Sequence, residues 1–242
     1  EPFETGFTDA SLVGTWADLG TVDKTILYKT PTVAGFNAKF QFAFTDSTLD
    51  ADGNNIYTPE WSKNARPWGA AFEYRGIPNL FVGAGVGGMA LANTKENRGK
   101  DDPILVNFAI NYDFGFVQPF FGAQYGKHEN VLAGSNADDY TYGDLDGYAL
   151  HLGAIVPSSL GETQVSLFWA DGDGDLYKRV GDTPTKNDVS VWGIALFHNY
   201  ELSNRTSLYV GMGYSDQETK PQGGEKVETK AYQCGLGLVH SF

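Results

Sequence analysis

The chain has 242 residues, and 17 Lys and Arg against 30 Asp and Glu leave a net charge of −13, the wrong sign for a nucleic-acid-binding surface. A single cysteine, Cys234, excludes an internal disulfide and any cysteine-based zinc site. An aromatic content of 14% speaks against disorder. No apolar run reaches the ~18 residues of a transmembrane helix. A membrane β-barrel, however, hides its signal by alternating apolar and polar residues, so its average hydropathy resembles that of a soluble chain.

Two-residue periodicity recurs along the whole sequence. Phe36, Ala38, Phe40, Phe42 and Phe44 alternate with Asn37, Lys39, Gln41 and Ala43. Further on, Val106, Phe108, Ile110 and Tyr112 alternate with Asn107, Ala109 and Asn111, and Leu208, Val210, Met212 and Tyr214 with Tyr209, Gly211 and Gly213. In a strand this spacing puts each set on its own face. The pattern predicts eleven strands, near 24–31, 34–45, 67–75, 80–92, 103–113, 117–126, 147–156, 163–170, 189–200, 206–214 and 229–242.

The predicted connections run short, then long, without exception. The long ones cover 46–66, 93–102, 127–146, 171–188 and 215–228 and hold 21 of the 30 acidic and 11 of the 17 basic residues. A meander with short turns at one end, long acidic loops at the other and one nearly uncharged face per strand predicts an all-β fold, a transmembrane antiparallel β-barrel. In lipid every backbone N–H and C=O needs a partner, which strands achieve only in a closed sheet. A soluble carbohydrate-binding β-sandwich, secreted and rich in Trp and Tyr, is the competing architecture. It predicts neither the loop alternation nor the uncharged faces.

The last strand alternates through Tyr232, Cys234, Leu236, Leu238 and His240 to a final Phe242. The ending Gly235-Leu236-Gly237-Leu238-Val239-His240-Ser241-Phe242 resembles the terminus of Gram-negative trimeric porins of the neisserial and β-proteobacterial type. Tyr200-Glu201-Leu202-Ser203-Asn204-Arg205-Thr206-Ser207-Leu208-Tyr209 resembles that family's Y-x-L-S-x-R-T-x-L-Y hairpin. Val22 to Pro31, followed by Ala34-Gly35-Phe36, resembles its D-N-S-I-x-Y-x-S-P-x-F-x-G-F strand, with Lys24 and Thr25 in place of Asn-Ser.

The resemblance implies a sixteen-stranded barrel in which that strand is the sixth, so about eleven strands, six to sixteen, fall in residues 24–242. Residues 1–23 would then belong to the loop that folds into the pore as its constriction. An odd count is at variance with the even strand numbers of bacterial single-chain barrels. The expectation is that strands one to five lie outside this chain; the alternative is a twelfth strand at 10–18. The resemblance also implies a homotrimer in the bacterial outer membrane, with lipopolysaccharide around it, the barrel assembly machinery reading Phe242, and small hydrophilic solutes passing through.

Such a protein does no covalent chemistry: the size and charge of its hole decide what diffuses. The strand registers turn Lys29, Lys39, Glu73 and Arg75 inward. By resemblance, acids on the constriction loop, drawn from Glu1, Glu4, Asp9 and Asp18, face a basic cluster of Lys29, Lys39 and Arg75. Opposed rows of this kind make a transverse field favouring small polar solutes, and weak ion selectivity is expected because the acidic mouth opposes the basic wall.

No cofactor is expected. Asp50-Ala51-Asp52-Gly53-Asn54 and Asp171-Gly172-Asp173-Gly174-Asp175 place carboxylates at alternate positions, as calcium loops do, but neither completes an EF-hand. Asp171, Asp173 and Asp175 are therefore weak metal candidates, with Ca or Mg bridging the loops to lipopolysaccharide as their use. Gly83, Gly85 and Gly88 match G-x-G-x-x-G without a following helix, which removes the dinucleotide reading. The enzymatic alternative, a barrel phospholipase, needs a Ser-His pair with an orienting Asn or Asp; His151 and Ser166 are the pair that adjacent strands bring to one face.

Overall fold

The computed structural model describes residues 24–44, 48–49, 55–56, 65–93, 101–129, 141–177, 185–203 and 205–240. The strands are β1 (Thr25–Lys29), β2 (Phe36–Ala43), β3 (Thr48–Leu49), β4 (Asn55–Ile56), β5 (Arg66–Tyr74), β6 (Leu80–Ala90), β7 (Ile104–Tyr112), β8 (Gln118–Glu129), β9 (Thr141–Ser158), β10 (Gly161–Tyr177), β11 (Thr185–Ser203), β12 (Thr206–Pro221) and β13 (Val227–His240). Apart from the small β3–β4 hairpin, they form one eleven-stranded sheet in sequence order, antiparallel throughout. Among the described residues the outer edges of β1 and β13 have no partner strand.

The short connections are tight because their residues suit tight turns. Between β1 and β2, Val33 and Phe36 exchange two backbone hydrogen bonds of 2.9 Å, and the two central residues, Ala34 and Gly35, have φ of 50° and 84°. Positive φ at both positions is the type I′ geometry whose twist matches that of the strands it joins. A side chain at Gly35 would also meet the backbone of Gly76.

One face of the sheet is apolar from edge to edge. Phe40, Phe72, Phe108, Leu152, Leu167, Ile194, Met212 and Leu238 all lie on it and stay exposed, Leu152 at 54% and Met212 at 53%. The opposite face holds Ser166 and Phe168, 5% and 6% exposed. A continuous apolar surface of this extent has no place in water; it fits lipid. Its far border is a row of aromatic rings: Tyr148 and Trp169 meet edge to face at 5.3 Å, Trp192 and Tyr214 at 5.2 Å, and Tyr214 and Tyr232 lie 4.9 Å apart. Near the short turns Phe36 and Tyr74 pair at 4.3 Å and Tyr112 and Phe114 at 4.6 Å. Such belts mark the two membrane interfaces. Along β11, Trp192 to Tyr200 covers the roughly nine residues that a tilted transmembrane strand needs.

The strand number agrees with the sequence expectation; strand lengths do not. β8 to β12 run well beyond the predicted ends, so residues expected in long loops, Asp144, Asp146, Asp171, Asp173, Asp175, Asp216 and Glu218, stand on strands. Hydrophobic alternation on the exposed face stops at the aromatic row, where lipid stops, while the hydrogen-bonded ladder continues beyond it through Asp146, Asp173 and Glu218, and the other face buries Leu145 and Val189 there. Alternation therefore reports the membrane, not the sheet. The extension of β10 puts Asp171, Asp173 and Asp175 on a strand rather than in a loop, and among the described residues their carboxylates do not gather into one cluster.

Beyond the aromatic row, Lys226 bridges Glu218 at 2.7 Å and Glu228 at 2.8 Å. These bonds push the Lys226 ammonium up, and Lys226 holds the Glu228 carboxyl below the usual carboxylate range. A depressed carboxylate contributes stability above its unfolded value, lost as pH falls through the folded one; a raised ammonium contributes below its unfolded value, lost as pH rises through the folded one. We expect Lys226→Met to lower the melting temperature slightly by the same amount from about pH 5 to pH 9, and the difference to vanish in acid. A difference that grows in acid would contradict the ion-pair reading.

Candidate functional site

Lys29, Lys39 and Glu73 stand on the polar face of β1, β2 and β5, and Arg75 directly follows β5. Lys29 and Lys39 are direct cross-strand partners. Lys39 Nζ lies 2.5 Å from Glu73 Oε1, and Asn37 Nδ2 donates to Glu73 Oε2 at 3.4 Å. The Arg75 guanidinium sits 4.2 Å above the Phe81 ring, a cation–π contact that fixes its direction. Three cations and one carboxylate thus share one patch of wall, with Glu73 in direct contact with Lys39.

The wall then becomes bare and polar. Gly83, Gly85 and Gly122 face the same side, and with them Glu73, Phe81, Asn107, Gln124 and His151 line a recess of about 400 Å³. Gln124 donates to Asn107 Oδ1 at 2.8 Å and Gln118 to Asn111 Oδ1 at 3.1 Å. These amide pairs bind one strand to the next while leaving neutral hydrogen-bonding groups toward the recess. Sequence reasoning put Asn107 and Asn111 on the polar face without giving them a role; their pairing depends on the β7–β8 register.

His151 and Ser166 do meet, His151 Nε2 and Ser166 Oγ being 2.5 Å apart. Ser166 is only 5% exposed, and the imidazole stands edge-on to Phe120 at 5.1 Å. Among the described residues no carboxylate or amide orients the other ring nitrogen, so the pair lacks the third member that nucleophilic catalysis needs. Gly83, Gly85 and Gly88 all lie within β6, as the missing helix implied. Cys234 is exposed on the apolar face, opposite Met212. His240 bonds Thr206 at 2.9 Å across β12 and β13. Glu1, Glu4, Asp9, Asp18 and Phe242 lie outside the described residues, as do Asp50 to Asn54.

A sheet apolar on one face, polar with a basic cluster on the other, and extended beyond an aromatic row is paralleled in sequence. Residues 2–220 match the family of Gram-negative porins. The chain belongs to that family. Its place is therefore the bacterial outer membrane. An anion-selective porin from Comamonas acidovorans shares 20% identity at a TM-score of 0.50, over 91% of this chain and 60% of that one. OmpT (in-vitro folded), an outer membrane protein of Vibrio cholerae, shares 14% identity at a TM-score of 0.50, over 90% of this chain and 64% of that one. These similarities establish the fold, an outer-membrane β-barrel, and this chain spans under two thirds of the length of either structure. No curated protein matches the sequence significantly.

Proposed function

We propose that this porin-family chain forms the wall of a water-filled channel through which ions and small hydrophilic solutes diffuse passively. The observation that carries the reading is the division of one sheet into an exposed apolar face and a polar face bearing Lys29, Lys39, Glu73 and Arg75. Further strands pair with the free edges of β1 and β13, since an open edge in lipid leaves its backbone groups unsatisfied. The working unit is a homotrimer set in lipopolysaccharide, with divalent ions bridging its outer acidic residues to lipid phosphates and Phe242 as the assembly signal. The channel carries no catalytic function: the buried Ser166 gives no nucleophile to a solute.

The charged patch sets a weak selectivity. Three cations against one carboxylate pull anions toward the wall, and the net acid of the outer mouth, screened beyond about 8 Å at physiological salt, opposes them. Glu4, Asp9 and Asp18 supply the facing acids of the constriction. The resulting preference is for anions, the behaviour named for the Comamonas porin. Full-length protein in a planar bilayer tests this. Stepwise conductance with a modest anion-side reversal potential is expected, moving to the cation side in Lys39→Glu/Arg75→Glu. Absence of conductance from correctly assembled protein overturns the channel; an unmoved reversal potential overturns the assignment of these residues.

A further inference from the structure

The geometry points to a metal site of mixed nitrogen and oxygen donors at the outer ends of β8 and β9, made by His128, Asp144 and Asp146, and we propose that it takes a divalent first-row transition ion of the zinc type. One donor atom from each residue lies within 4.8 Å of the other two. His128 Nδ1 is 2.6 Å from Asp144 Oδ1 and 3.9 Å from Asp146 Oδ1. Ligation at about 2.1 Å with tetrahedral angles spaces donors about 3.4 Å apart, so one distance opens by under an ångström and the other closes by about half of one, within reach of χ rotations.

The backbone builds the cluster. The β8–β9 register shifts between Gly126 and Glu129, and His128 and Asp144 both have positive φ, 56° and 52°. The bulge turns His128 off the alternation of its strand, and its N–H donates to Asp146 Oδ1 at 2.8 Å, holding that carboxylate beside the ring.

A second observation points to a ligand. Asp101 Oδ2 lies 3.7 Å from Nε2, the ring nitrogen that the cluster does not use, in ion-pair range and a small rotation short of a hydrogen bond. Imidazoles that bind metal through one nitrogen commonly give the other N–H to a carboxylate, which fixes tautomer and ring direction. The surroundings favour a cation as well: Asp173 is the direct cross-strand partner of both Asp146 and Asp188, a row of like charges that repel. The imidazole decides the metal class. Calcium and magnesium prefer all-oxygen shells, whereas one imidazole with two carboxylates suits Zn²⁺, Ni²⁺ or Co²⁺, leaving a fourth position open to water or an outside ligand.

Titrating the full-length, folded protein in detergent with Zn²⁺ tests the site, with Co²⁺ absorption as a report on coordination. One equivalent per chain is expected, resistant to excess Ca²⁺. His128→Gln and Asp144→Asn should each weaken it by about tenfold or more and Asp101→Asn by about tenfold. Asp173→Asn, which removes a neighbouring charge but no ligand, should change it only a few-fold. Equal Zn²⁺ affinity in wild type and His128→Gln, or displacement by Ca²⁺ at matched concentration, overturns the proposal and leaves a diffuse acidic patch. Channel conductance, measured separately, is independent of this result.

Discussion

An arginine at Phe108 is expected to destabilise the folded protein in lipid by about 2–4 kcal/mol, and one at the next residue, Ala109, by an amount near zero. The two positions share the middle of β7 and differ only in face. Phe108 is exposed on the apolar side and touches Phe121, centroids 6.4 Å apart. An arginine there loses that contact and puts a guanidinium at the depth where lipid offers no hydrogen-bond partner. Ala109 is on the polar side, directly opposite Gly83 and Gly122, and the recess over those glycines has room for the longer side chain and water for its charge. Guanidinium unfolding of both variants in lipid vesicles measures the difference. Equal costs would show that the exposed apolar face is not a lipid face, and would remove the physical basis of the channel reading.

The same parity explains what could be read from the sequence. Phe36, Ala38, Phe40 and Phe42 show their face without any structure, because lipid accepts only apolar residues at every second position. Lys29, Lys39, Glu73 and Arg75 followed by counting from them, and all four stand on the polar side. Their pairing did not follow. Asn37, not Lys39, is the cross-strand partner of Glu73, and the Lys39–Glu73 bridge is a diagonal contact that appears only once the β2–β5 register is known. The outer halves of β9 to β12 were hidden for another reason: above the aromatic row no lipid enforces an apolar stripe, so Gly172 and Gly174 between three aspartates resemble a loop even while the ladder continues. The His128 cluster was hidden most deeply, since a bulge with two positive-φ residues breaks the alternation on which the reading depends. Local alternation thus recovers whatever the membrane enforces, and loses whatever a register shift or solvated strand creates.

Two glycines of the wall separate these kinds of information. Gly122 and Gly153 occupy the polar side of adjacent strands and look alike in the sequence, yet Gly153→Ala is expected to cost about 1–3 kcal/mol and Gly122→Ala almost nothing. A Cβ at Gly122 meets only the His151 Cβ at 3.6 Å, an ordinary contact, and Phe108 O at 3.8 Å. The alanine also lowers the entropy of the unfolded chain, a small gain that offsets residual strain. A Cβ at Gly153 would overlap the Phe120 ring and stand 2.5 Å from the Val165 carbonyl oxygen. Phe120 lies over its cross-strand partner Gly153, a way of covering the gap that a glycine leaves in a sheet. An alanine expels the ring, which then leaves the side of His151. Phe120→Ala in the same chain removes the ring collision but not the one with the carbonyl, so the double variant should be more stable than the two single costs added together, yet less stable than Phe120→Ala alone. Equilibrium unfolding of the four proteins gives the coupling directly. Strict additivity would mean that Phe120 does not cover Gly153, and that the glycine serves only the curvature of the wall.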